Sequence, residues 1–124
     1  MKTDRELLEL AAKAVGYRIC HFESDTCAYV YDDLLGVRFY WQPADDDGAA
    51  LRLAIKLKLS IESDALIEID YDKDFSGTYN YGCEVWTVSK DGSTTKSQQL
   101  YSGDCDAATR RAIVLCAAQL GETK

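Results

Sequence analysis

Apolar positions near the start of the chain recur with the period of an α-helix. Leu7, Leu8, Ala11 and Val15 form one stripe, while Glu6, Glu9 and Lys13 lie opposite, Glu9 and Lys13 at i,i+4 spacing. Thr3-Asp4-Arg5-Glu6 has the spacing of a capping box, and Gly16 suits the left-handed position that follows a helix end. The pattern then changes to strand-like. Tyr17 to Phe22, Cys27 to Tyr31 and Val37 to Trp41 are rich in β-formers and are separated by Ser24-Asp25 and by Asp32-Asp33 with Gly36. Such short gaps predict antiparallel hairpins. Pro43 ends the third strand because it has no N–H to donate to a ladder and holds Gln42 extended. A second helix is expected to about Leu59. Ala65 to Tyr71, Tyr79 to Ser89 and Thr94 to Tyr101 are the remaining strand candidates, with Lys90-Asp91-Gly92-Ser93 as a hairpin turn and residues 73–78 as the loop before it. A third helix is expected from Asp104 to Leu120, stopped by Gly121.

One phrase is written twice. Ala49-Ala50-Leu51-Arg52-Leu53-Ala54-Ile55 and Ala107-Ala108-Thr109-Arg110-Arg111-Ala112-Ile113 agree at five of seven positions, and each follows an acidic start, Asp45-Asp46-Asp47 or Asp104-Cys105-Asp106. Asp near a first turn caps free backbone N–H groups and opposes the positive end of the dipole, so both phrases mark helix starts. The order is therefore α-βββ-α-βββ-α. Strands grouped between helices with hairpin-length links predict an α+β fold, a mainly antiparallel sheet covered by three helices, in one domain over residues 1–124.

A chain of 124 residues buries enough surface to fold without metal or disulfide, and 47% hydrophobic content argues against wholesale disorder. The apolar runs fall short of the ~20 residues a membrane span needs, and the charged N-terminus does not read as a signal peptide, so a cytoplasmic location is expected. Cys20, Cys27, Cys83, Cys105 and Cys116 are odd in number and contain no C-x-x-C pair, which fits free thiols used as small apolar residues. The net charge of −7 disfavours direct nucleic-acid binding unless basic residues gather on one face.

Little in the chain resembles a catalytic constellation. His21 is the only histidine, and its spacing from Cys20, Asp25 and Cys27 matches no usual zinc pairing. There is no Gly-x-Ser-x-Gly elbow, no Gly-x-Gly-x-x-Gly and no Walker pattern. Asp70-Tyr71-Asp72-Lys73-Asp74 begins like a calcium loop, but Phe75 stands where the turn glycine belongs and Tyr81 where the bidentate Glu belongs. Neither metal nor cofactor is expected.

Two binding surfaces compete instead. In an extended chain Glu68, Asp70, Asp72 and Asp74 share one face, a row of carboxylates about 6.5–7 Å apart, which either imitates the phosphates of a nucleic acid toward a basic partner, coordinates a hard cation weakly, or is simply a solvated outer face. Tyrosine is enriched at binding surfaces, and the eight here include Tyr29, Tyr31, Tyr71, Tyr79, Tyr81 and Tyr101. Phe39 and Trp41 read as core, and the acids at Asp45 to Asp47 oppose an anion at the neighbouring helix start. Arg52 and Lys56 lie one turn apart and Arg110 and Arg111 begin the third helix, so they either answer nearby acids or hold an anionic metabolite.

Three passages carry a resemblance. Thr3 through Gly16, Trp41-Gln42-Pro43 through Asp46-Asp47-Gly48 and Ala50-Leu51-Arg52-Leu53-Ala54, and Ala108-Thr109-Arg110-Arg111-Ala112-Ile113-Val114 resemble small αβα-sandwich proteins encoded by tailed bacteriophages and prophages. In that family W-N-P-x-x-D-D-G-D-A-L-R-L-A and A-T-R-R-A-I-V-R-A-A segments recur. This chain departs from them at Gln42, Ala49 and Leu115-Cys116. The resemblance covers the helices and implies context more than chemistry: an accessory factor in an infected or lysogenic bacterium, acting on host machinery, including host defences.

The leading expectation is thus a non-enzymatic phage accessory protein that inhibits a host defence protein through an acidic, tyrosine-rich surface. Its residues are Glu68, Asp70, Asp72, Asp74, Tyr71, Tyr79 and Tyr81, and its partner is a host bacterial protein with a basic surface. The alternative is a sequestering binder of an anionic small molecule such as a nucleotide, held by Arg52, Lys56, Arg110 and Arg111. An enzyme without a recognisable motif is the third. The oligomeric state stays open.

Overall fold

The computed structural model describes residues 2–71, 77–101 and 104–123, without the side chains of 64–80. Helix α1 (Asp4–Val15) starts at Thr3, whose hydroxyl accepts from the Glu6 N–H, and ends at Gly16, whose φ of 88° makes it the left-handed cap. Strands β1 (Tyr17–Phe22), β2 (Ala28–Asp32) and β3 (Val37–Trp41) follow, then α2 (Asp47–Leu57). Strands β4 (Ser60–Tyr71), β5 (Gly77–Val88) and β6 (Thr94–Leu100) lead into α3 (Cys105–Glu122). The α-βββ-α-βββ-α order and the α+β class stand. Pairing is antiparallel throughout, in two three-stranded sheets with orders β1-β2-β3 and β4-β5-β6.

Both duplicated phrases open as their acids dictate. The Asp46 carboxylate accepts from the Gly48 N–H at 3.1 Å and the Asp104 carboxylate from the Ala107 N–H at 3.0 Å, filling free donors of each first turn. Several boundaries differ from the sequence expectation: β2 is shifted by one residue, β5 runs from Gly77 to Val88 rather than from Tyr79 to Ser89, β6 ends at Leu100 rather than Tyr101, and three further differences have a visible cause. Helix α2 stops at Leu57 because Lys58 turns left-handed, at φ 56°. Strand β4 begins at Ser60 rather than Ala65, since Ser60, Ile61 and Glu62 already pair with Trp86, Val85 and Glu84 ahead of a bulge. Gly121 does not stop α3 but lies inside it.

Helix α3 packs against α1, α2, β5 and β6, which explains why it is alanine-rich on several faces rather than along one stripe. Around it one buried cluster draws on every layer: Leu8 and Ala11 from α1, Val30 and Trp41 from the first sheet, Leu53 and Ala54 from α2, Cys83 and Val85 from the second sheet. Arg110, 16% exposed, locks α3 to the start of α2. Its guanidinium donates to the Ala44 carbonyl at 2.9 Å and to Asp47 at 2.6 Å, and the hydrogen bond to Asp47 raises its pKa.

All five thiols are free, and the apolar reading holds for Cys83 and Cys116, which are buried, while Cys20 and Cys105 are exposed. Burial pushes the Cys116 thiol up from 9.0 to about 11. The unfolded chain therefore loses this proton at lower pH than the folded one, so stability falls as pH rises from 9.0 to about 11. Urea unfolding across that window checks the slope, and Cys116→Ala should flatten it.

Candidate functional site

The first sheet has two unlike faces because its strands alternate. Central β2 buries Ala28, Val30 and Asp32 and turns Tyr29 and Tyr31 outward. The inner face joins the core through Tyr17, Ile19, Phe39 and Trp41. On the outer face, strand register aligns side chains into two rows across all three strands.

The first row is Arg18, Tyr31 and Arg38, paired in that order across β1, β2 and β3. The Tyr31 ring lies between two guanidiniums, with Arg18 Cζ 5.0 Å and Arg38 Cζ 4.9 Å from its centroid, within cation–π range. The second row is His21, Tyr29 and Tyr40. His21 stacks on Tyr29 at 5.2 Å, and Tyr29 meets Tyr40 at 4.9 Å. A β-bulge between Ile19 and His21 creates this row, because unbroken register would set Cys20 opposite Tyr29.

The rim is charged and preorganised. Arg18 forms an ion pair with Asp33 at 2.7 Å and His21 shares a hydrogen bond with Glu23 at 2.8 Å, whereas Arg38 makes no ion pair among the described residues. At the β2–β3 turn, Leu34 is 91% exposed and Leu35 is exposed beside it. Buried Asp32 holds that turn, accepting from the Leu34 N–H at 3.0 Å and the Leu35 N–H at 3.4 Å. Gly36 closes it at φ 69°. Lys56 Nζ supports Asp32 from behind at 3.6 Å.

The side chains of Glu68, Asp70, Tyr71 and Tyr79, and all of Asp72 and Asp74, lie outside the described residues. In the backbone, Glu68 pairs with Tyr79 and Asp70 with Thr78, so a bulge interrupts regular alternation between the two acids. Tyr81 is exposed on β5. Of the four cations, Arg110 is bound to Asp47, Arg111 to Asp4 at 3.3 Å, and Lys56 to the Tyr17 hydroxyl at 2.7 Å, the bond that does most to raise the Lys56 pKa. Arg52 is exposed and makes no ion pair among the described residues. Arg111, Arg110 and Lys56 line separate hollows.

Sequence reading counted Tyr29 and Tyr31 among the surplus tyrosines but put the binding surface at Tyr71, Tyr79 and Tyr81, and it missed Arg18, His21, Arg38 and Tyr40 as neighbours of Tyr29 and Tyr31. The signal was present in part, since Arg18, Tyr29, Tyr31, Arg38 and Tyr40 are alternate positions of consecutive strands. Nothing in the sequence marks the bulge. Comparison of the chain with protein-family models, with curated proteins and with solved structures finds no match.

Proposed function

We propose that this protein acts by binding a partner protein, with the outer face of the first sheet as the docking surface and a host bacterial protein as the partner. The observation that carries this reading is the pair of cross-strand rows, Arg18–Tyr31–Arg38 and His21–Tyr29–Tyr40. Tyr and Arg supply a disproportionate share of binding energy where they are buried by a partner. Held by ring and guanidinium contacts, these side chains lose little further freedom on docking. Leu34 and Leu35 add apolar anchors at one end.

The helical resemblance to phage-encoded proteins supports a host target, including one that serves in host defence. The net charge of −7 and the acidic stretch from Glu68 to Asp74 favour a basic partner by steering its approach. Anchoring and steering separate in a kinetic experiment. Tyr29→Ala with Tyr31→Ala should weaken binding by about 2 kcal/mol or more, roughly thirtyfold in Kd, through faster dissociation. Charge reversal at Asp70, Asp72 and Asp74 should slow association and leave dissociation nearly unchanged. A captured partner whose dissociation ignores the tyrosine pair removes the sheet face from the reading.

A further inference from the structure

We propose that two copies of this chain join along β3, so that their first sheets continue as one six-stranded antiparallel sheet. This goes beyond the docking reading, since the pairing uses the strand's edge and leaves the outer face open. Strand β3 is an outer strand whose one strand partner among the described residues is β2. No other backbone hydrogen bond among the described residues reaches residues 37–41. Its sequence, Val-Arg-Phe-Tyr-Trp, has strong β-formers and lacks the proline or lysine that commonly blunts an edge. Val37, Arg38 and Tyr40 are exposed along it.

The occupant is fixed by self-complementarity. When β3 pairs antiparallel with its own copy about a two-fold axis at Phe39, Arg38 faces Tyr40 of the partner subunit and Val37 faces Trp41 of the partner subunit. An axis at Arg38 would instead oppose two guanidiniums, which is repulsive. The Phe39 axis also extends each row. Arg18–Tyr31–Arg38 continues into Tyr40, Tyr29 and His21 of the partner subunit, and the other row does the reverse. Arg38 already lies 4.9 Å from the Tyr31 ring and makes no ion pair among the described residues, so a second ring repeats a contact the fold has built. The same patch on both copies closes the assembly as a dimer. Repulsion between two chains of charge −7 opposes it at long range, and salt screens that repulsion.

Sedimentation equilibrium of the full chain tests the pairing. The wild type should form a dimer that tightens as ionic strength rises from about 0.01 M to 0.15 M. Tyr40→Arg places like charges opposite each other twice and should weaken the dimer about tenfold or more, while thermal melting confirms the fold. Adding Arg38→Glu to Tyr40→Arg creates two opposite-charge pairs in the same register and should restore it. A wild type that stays monomeric into the millimolar range, or a Tyr40→Arg variant that dimerises as the wild type does, overturns the proposal. A double variant that stays monomeric while folded overturns the Phe39 register. None of these outcomes depends on the Tyr29 and Tyr31 experiment.

Discussion

Gly121→Ala is expected to destabilise the protein by about 2 kcal/mol or more, although alanine is the better helix former. A Cβ built on Gly121 would sit 1.9 Å from the Leu10 carbonyl oxygen and 2.7 Å from its carbon. Real side chains do not approach backbone that closely, so either α1 or α3 must move. The obstruction is main chain and cannot swing aside as a side-chain tip would. Overpacking costs about 1–3 kcal/mol and occasionally more, and the backbone obstacle places this case at the upper end even after ~1 kcal/mol of helix propensity is regained. Gly48→Ala is the control. Its Cβ would meet the Arg52 guanidinium at 3.3 Å, a flexible group on an exposed side chain, and should cost little. Urea midpoints for the two variants give the comparison, and equal midpoints would show that α1 and α3 do not pack at this distance.

The same glycine shows where sequence reading succeeds and where it stops. Helix starts at Thr3, Asp46 and Asp104 were legible because a cap acts on its own first turn. So was the Gly16 stop, which is local in the same way. Gly121 looked identical in the sequence, yet its reason is the backbone of Leu10, remote in the chain, and no local pattern reports it. Strand pairing was legible as hairpins, but the division into two three-stranded sheets was not, since a hairpin pattern does not say where one sheet ends and the next begins. The docking face was half legible. Tyrosine abundance marked Tyr29 and Tyr31 as surface candidates, whereas the alignment of Arg18, His21, Arg38 and Tyr40 beside them needs strand register and a bulge. The duplicated arginines diverge for a similar reason: Arg52 is exposed with its guanidinium beside Gly48 of its own helix, while Arg110 reaches Asp47 and Ala44 across the approach of α2 to α3.

Trp41→Ala should be the most damaging single truncation in the first sheet, at about 3–5 kcal/mol. Trp41 is 2% exposed at the end of β3 and packs edge-on against Tyr17, with ring centroids 5.3 Å apart. Tyr17 in turn packs edge-on against Phe39 at 5.3 Å and accepts a hydrogen bond from Lys56 at 2.7 Å. Removing the indole opens a cavity where β3, β1 and α2 converge, and the surrounding backbone is too constrained to fill it. Tyr40, the next residue, points the other way and is 61% exposed. Tyr40→Ala should therefore change stability by less than about 1 kcal/mol while altering the outer face. Denaturant unfolding followed by circular dichroism separates the two variants. If Trp41→Ala cost no more than Tyr40→Ala, the inner and outer faces of β3 would be assigned wrongly. Adjacent residues with opposite consequences are what an alternating strand requires when one face carries the fold and the other is free to dock.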